Sequence, residues 1–311
     1  MHLAVLVATC ALAVTGCGST PAKPVITSVE HTQPKTAADR ILPLFPDGAQ
    51  VIVELDLARL RTNPVIGALV TSALTGEGLP ALPAGVPMSP LAKADAVVLA
   101  SYGVGTSAAA MVTVIASPED LVQTSGATRL GDHLYALGPT EWIAQLEARA
   151  AIAGIGQAGS GPPIVASPEL LALRDRAMPP NAPGAALRIT ARLSFDARVA
   201  LARQTGLDSA PSQVSIWADV VDDFAIIVDA DAADPGDKKT KNPTKRLEAG
   251  LRGVLAGLAD EPAIRALGIP SSLERAKLVA RGTWVRTIVA IGPAHLQRIV
   301  ERANAYLQGK S

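Results

Sequence analysis

The chain has 311 residues, with 28 basic and 28 acidic side chains, 49% hydrophobic residues, 18% charged and 3% aromatic. So much apolar side chain against so little charge excludes a disordered chain and suffices for two domains of ordinary size. Neutrality hides a split: residues 17–237 hold 14 basic against 23 acidic side chains, and residues 238–311 hold 14 against 5. Opposite charges within one molecule attract, which is the simpler account; a binding face is the alternative.

Residues 3–16 form an uncharged apolar run of fourteen, short of the roughly 20 needed to span a bilayer as a helix. The run predicts a signal peptide over 1–16, although Met1 and His2 lack the usual basic residue. It ends in Val14-Thr15-Gly16-Cys17, which resembles the lipobox of bacterial lipoproteins, where small residues precede a Cys that receives diacylglycerol before cleavage. The resemblance implies lipid attachment at Cys17, export, and anchorage to the cell envelope. Gly18 in place of Asp implies the outer membrane of a Gram-negative cell. Residues 17–36, with Pro21, Pro24 and Pro34 among Ser, Thr, Lys and Gln, are expected to be a flexible tether. Cys10 would leave with the signal, so no thiol remains for a disulfide, a thiolate metal site or nucleophilic chemistry. An exported address and few aromatics for base stacking also set nucleic acid aside as a partner.

Beyond the tether, similar segments occur twice in one order, predicting two diverged copies of a strand-hairpin-plus-helix unit over 37–153 and 164–311. In the first, Arg40–Asp47 leads into the strand-like run Val51–Leu57. Ala94–Leu99 and Met111–Ile115 follow, and Ala136-Leu137-Gly138-Pro139 precedes a helical stripe at Trp142, Leu146 and Ala150. The stretch Pro46–Leu60 resembles openings of uncharacterised envelope lipoproteins of GC-rich Gram-negative bacteria, a resemblance that brings no activity with it. Residues 154–163 are the densest Gly/Pro stretch and the natural linker.

In the second copy Arg174–Asn181 leads into Ala186–Leu193, and Ala218–Asp222 and Phe224–Val228 are the matched strand segments. An inserted segment near 231–280 reads as a charged loop with helices around 243–258 and 261–267. Ala290-Ile291-Gly292-Pro293 then opens a helix whose stripe is Leu296, Ile299, Val300, Ala303, Tyr306 and Leu307. Strands and helices alternate without a regular βαβ pattern, so the fold class is α+β.

Several short motifs carry a chemical and a plain reading. Gly154-Ile155-Gly156-Gln157-Ala158-Gly159 satisfies G-x-G-x-x-G, but Pro162-Pro163 blocks the helix N-terminus that would hold a phosphate, so it reads as linker. Asp229, Asp231, Asp234 and Asp237, with Asp222 and Asp223 upstream, have a spacing open to a hard cation. The Gly and terminal Glu of an EF-hand are missing and Lys238-Lys239 follow, which favours a solvated turn ending a strand. Lys238, Lys239, Lys241, Lys245 and Arg246 suit anionic lipid head groups or simply a solvated loop. His133 and His295 are expected at the surface, and no H-E-x-x-H, G-x-S-x-G, S-x-x-K or P-loop pattern is present. Asn242-Pro243-Thr244 has Pro where a glycosylation acceptor forbids it.

No catalytic, cofactor or metal residue is therefore assigned, and Cys17 is the one site residue. The leading expectation is a membrane-anchored envelope lipoprotein whose body is a non-catalytic binding or structural module, meeting the membrane through its lipid and an envelope protein or hydrophobic ligand through its body. One alternative is a periplasmic carrier with an apolar pocket. A second is a carboxylate-dependent hydrolase using Asp222 with Asp223, or Glu54 with Asp56, which at i, i+2 share one face of a strand, a pattern that a solvent-facing edge strand explains equally well. Triad residues need not be close in sequence, so missing motifs weigh against an enzyme rather than ruling one out.

Overall fold

A computed structural model of the chain describes residues 36–75, 89–104, 106–122, 126–155, 166–180, 182, 184–208, 210–232 and 242–307. The signal segment, Cys17 and the tether to residue 35 lie outside these. So do residues 156–163 of the linker, Asn181, Asp234, Asp237, Lys238, Lys239 and Lys241.

The fold is mixed α+β, with ten antiparallel strands in one sheet and ten α-helices among the described residues. In chain order these are α1 (Ala37–Ile41), β1 (Val51–Asp56), α2 (Leu57–Thr62), α3 (Gly67–Thr75), β2 (Ala96–Tyr102), β3 (Ala110–Ala116), β4 (Thr128–Gly131), β5 (Leu134–Leu137) and α4 (Thr140–Ile152). There follow α5 (Pro168–Asp175), β6 (Leu187–Arg192), α6 (Phe195–Thr205), β7 (Gln213–Val220), β8 (Phe224–Asp231), α7 (Pro243–Asp260), α8 (Pro262–Leu267), α9 (Pro270–Glu274), β9 (Lys277–Arg281), β10 (Trp284–Ile291) and α10 (Pro293–Leu307). Strand order is β4-β5-β3-β2-β1-β6-β7-β8-β10-β9. It reads the same from β1 and from β6 outwards: two hairpin neighbours, then the last pair exchanged. β1 joins β6 directly, with Ile52 opposite Thr190 and Glu54 opposite Arg188, so both proposed copies share one continuous sheet.

Side chains alternate between two faces along each strand. On the front, Ile52, Val98, Val114 and Ala136 join Leu146 of α4 and Ile41 and Leu44 in one buried cluster. Tyr102 closes it, its ring 3.9 Å from that of Trp142 and its hydroxyl donating to the Pro46 carbonyl at 2.9 Å. Burial pushes the Tyr102 phenol well above its ordinary range. On the back, Val51, Val53, Val97, Leu99 and Ile115 pack with Leu57 and Leu74, from α2 and α3, and the cluster extends to Ile189 and Ala191. Strands β1, β2 and β3 are thus covered twice, in keeping with their largely apolar runs.

The second half differs. Its back is covered by Leu247 of α7 over Ala230 and Val285, and by Leu296 and Ile299 of α10 over Val220 and Ile291. Its front has the segment after α5, where Ala177 and Ala185 meet Trp217 and Ile227. Helices α4 and α10 each follow a Gly-Pro pair at the end of β5 or β10, yet α4 lies on the front and α10 on the back.

Most predicted segments coincide with elements: β1, β6, β3, β8, α4, α7, α8 and α10 stand where expected. One match does not. Ala94-Asp95 precede β2, whereas Ala218-Asp219 lie near the end of β7, so that similarity is a coincidence of short polar-apolar alternation. Leu57 begins α2 rather than ending β1, because the Asp56 side chain accepts from the Arg59 backbone N–H at 2.8 Å and caps the helix there. No described helix is long and apolar enough to cross a membrane.

Candidate functional site

Among the described residues, the front face holds three acids at 4% exposure or less, and each is bonded to an arginine. Glu54 sits mid-β1 at 4% exposure. Arg174, in the last turn of α5, reaches it with Nε at 2.7 Å from Oε1 and Nη2 at 2.5 Å from Oε2, and gives a further bond to Asp39 at 2.6 Å. α5 is aimed by Pro168 in its first turn and by Ser167, whose hydroxyl accepts from the Leu170 N–H. Asp219, near the end of β7, takes two bonds of 2.6 Å from Arg59 of α2. Asp229, in β8, takes bonds of 2.8 and 2.6 Å from Arg286 of β10, its register partner.

The electrostatics follow from burial and pairing. Burial alone would strip the charge from Arg174, but hydrogen bonds and charge from Glu54 and Asp39 outweigh it and hold the guanidinium protonated above its ordinary range. Burial likewise opposes ionisation of Asp39, yet the charge of Arg174 and bonds from Arg174 and Thr36 hold its carboxyl below the usual range. The folded pKa of Asp39 thus lies below its unfolded value. Its contribution to stability is complete above the unfolded value, near pH 4, and is lost as pH falls through the folded one. Asp39→Asn is expected to flatten the fall in melting temperature between about pH 5 and pH 3. An unaltered acid slope would remove Asp39 from this role.

Beside the Arg286–Asp229 pair lies a half-open cleft of about 230 Å³ lined by Arg176, Asp229, Arg281, Trp284 and Arg286. The β9–β10 hairpin builds it. Arg281 and Trp284 are register partners across the two-residue turn Gly282-Thr283, and Gly282 supplies φ +61°. Side chains of a register pair share a face. Arg176, just past α5, lays its guanidinium over the Trp284 ring at 3.7 Å and gives its carbonyl to Arg286 Nη2 at 2.7 Å. Its Nε stands 3.8 Å from Asp229. None of Arg176, Arg281, Trp284 or Arg286 was singled out in the sequence; the alternation of Trp284 and Arg286 along a strand was the available signal.

The residues weighed in the sequence are scattered. Asp229 is not in a solvated turn: it is 3% exposed and clamped by Arg286. Asp231 closes β8, and among the described residues no three His, Cys, Asp or Glu gather as metal ligands. Glu54 and Asp56 do share a strand, but β1 is central rather than a solvent-facing edge. Glu54 is spent on Arg174 and Asp56 on capping α2. Asp222 and Asp223 are exposed in the β7–β8 turn. His133 occupies the β4–β5 turn at φ +61°. His295 is half-buried, not on the open surface, with Nε2 2.7 Å from the Gly268 carbonyl and Nδ1 3.3 Å from the Ser272 hydroxyl. Lys245 and Arg246 are exposed at the start of α7. Gly154 terminates α4 at φ +67°, so the first glycine of G-x-G-x-x-G ends a helix where a dinucleotide loop would open one.

No family model matches the chain, and no curated protein matches it. Among solved structures, one described as crystal form I of TP0453 is similar over 84% of this chain and 96% of that chain, at 8% sequence identity and a TM-score of 0.42.

Proposed function

We propose that this chain is a lipid-anchored lipoprotein of the bacterial envelope, exported by residues 1–16, acylated on Cys17 and held by its tether at the outer membrane, with the α+β body acting as a non-catalytic binding or structural module. The observation that carries the reading is Val14-Thr15-Gly16-Cys17 directly after a fourteen-residue apolar run. The arginine partners of Glu54, Asp219 and Asp229 support the second part, since acids saturated by guanidinium bonds hold a fold together rather than move protons. The cleft lining of four charged side chains and one tryptophan gives no particular support to a carrier of apolar ligands.

The body derives from a duplicated unit, 37–153 and 164–311. Support comes from the strand order, identical outwards from β1 and β6, and from the Gly138-Pro139 and Gly292-Pro293 pairs, which lie between β5 and α4 and where β10 gives way to α10. The opposite faces taken by those helices are the main divergence.

Each buried lipid CH₂ adds about 0.8 kcal/mol of membrane affinity, so two or three acyl chains make attachment effectively permanent. Intact mass spectrometry of the membrane-extracted protein is expected to find an N-terminus at Cys17 carrying diacylglycerol. Cys17→Ala removes the sulfur to be acylated and should leave the signal segment uncleaved. An unmodified N-terminus at another residue refutes the anchor.

A further inference from the structure

We infer that the cleft between Arg176, Arg281, Trp284 and Arg286 is a binding site for a phosphate-type anion. The inference rests on reading the body as a binding module, but not on the lipid at Cys17.

The cleft exists because of where the helices go. In the mirrored strand order β9 and β10 stand where β4 and β5 stand in the other half. There α4 covers the front, burying Leu146 in the cluster that holds Ala136 of β5. In the second half α7 and α10 both pack behind the sheet. Among the described residues, the front of β9 and of the first residues of β10 is overhung by Arg176, which is 39% exposed there.

Charge then selects the occupant. Three guanidiniums face one carboxylate, and Asp229 spends both oxygens on Arg286. Arg286 commits Nε and Nη2, and its Nη1 has no acceptor among the described residues. Arg176 is tied by stacking on Trp284 and by a 3.8 Å approach to Asp229, which leaves most of its donors unused. The Arg281 side chain makes no bond with any described residue, while Asp231, the register neighbour of Trp284, is engaged in an interaction of its own. Among the described lining residues three guanidiniums thus stand against the single Asp229 carboxylate, a net charge of plus two around one concave space. A phosphate group offers a matching double charge and several oxygens to separate planar forks, which suits arginine geometry better than a single carboxylate does. The volume of about 230 Å³ is below the usual range for drug-sized ligands, so it suits a phosphate with a small substituent, the remainder projecting into solvent. Trp284, stacked under Arg176, adds an apolar surface to the lining.

Either the phosphomonoester head group of a phosphatidic acid or a free phosphorylated solute has this chemistry. The test uses the full chain in neutral detergent, titrated calorimetrically with inorganic phosphate and with glycerol phosphate. Saturable one-to-one binding is expected, weakened about tenfold by Arg281→Ala, which removes one charge-assisted contact. Arg281 is an exposed residue of an edge strand, so its loss leaves the core intact. Arg298→Ala, exposed on α10 behind the sheet, should change the affinity less than about twofold. Competition by short-chain phosphatidic acid, but not by short-chain phosphatidylcholine, assigns the site to lipid head groups; competition by glycerol phosphate alone assigns it to a solute. No saturable binding of either phosphate probe, or equal weakening by Arg281→Ala and Arg298→Ala, overturns the inference. An unlipidated Cys17 would refute the anchor and leave this titration unchanged.

Discussion

Arg174→Met is expected to lower the unfolding free energy by about 3 to 5 kcal/mol, because it strands a buried carboxylate without its counter-charge. Glu54 is 4% exposed at the centre of the ten-stranded sheet, with Val98 on one side and Arg188 on the other. Arg174, at 8% side-chain exposure, is its close cation and also binds Asp39. Arg188 is not a ready substitute, because its own ion pair goes to Asp175. A buried pair can be replaced by apolar side chains at little net cost, whereas half a pair cannot. The double variant Glu54→Leu with Arg174→Met should therefore recover much of the loss. Denaturant unfolding followed by circular dichroism would check both. A double variant as unstable as the single one would mean that Arg174 matters for packing rather than for the charge of Glu54.

The same residue marks the limit of reading this sequence. A charged side chain in a strand usually faces water, so Glu54 and Asp56 suggested an exposed edge. β1 becomes central only through pairing with β6, more than 130 residues later, and nothing local announces that partner. Arg174 is 120 residues from Glu54 and Arg286 is 110 from the Arg176 carbonyl. These sites are made by sheet order, and no motif contains them.

What is local was legible. α10 buries Leu296 and Ile299 as its stripe required, although Tyr306 at the far end is 59% exposed. α7 and α8 begin at Pro243 and Pro262 as proline in a first helical turn suggests. α2 was hidden because Asp56 is both the last residue of β1 and the cap of the helix. α6 was hidden because its apolar pattern is inverted. Phe195 is 66% exposed, whereas Arg198 is 9% exposed and donates to the Ala210 carbonyl at 3.0 Å.

Leu146→Ala should cost about 2 to 5 kcal/mol, and clearly more than Leu296→Ala, although both leucines lie on helices after matching Gly-Pro pairs. Leu146 is fully buried in a cluster that includes Ile41, Leu44, Val98, Val114 and Ile143. The Tyr102–Trp142 stack belongs to the same cluster and leaves little freedom to collapse into a void. A cavity there keeps most of its volume, and the cost grows with residual volume. Leu296 is 5% exposed in a cluster of four buried residues, whose half-exposed neighbours Val65, Ile66, Phe224, Leu267 and Ile269 have room to close in. Thermal and denaturant unfolding of the two variants would give the comparison. If Leu296→Ala proved as costly as Leu146→Ala, the back of the second half would be as tightly packed as the front of the first.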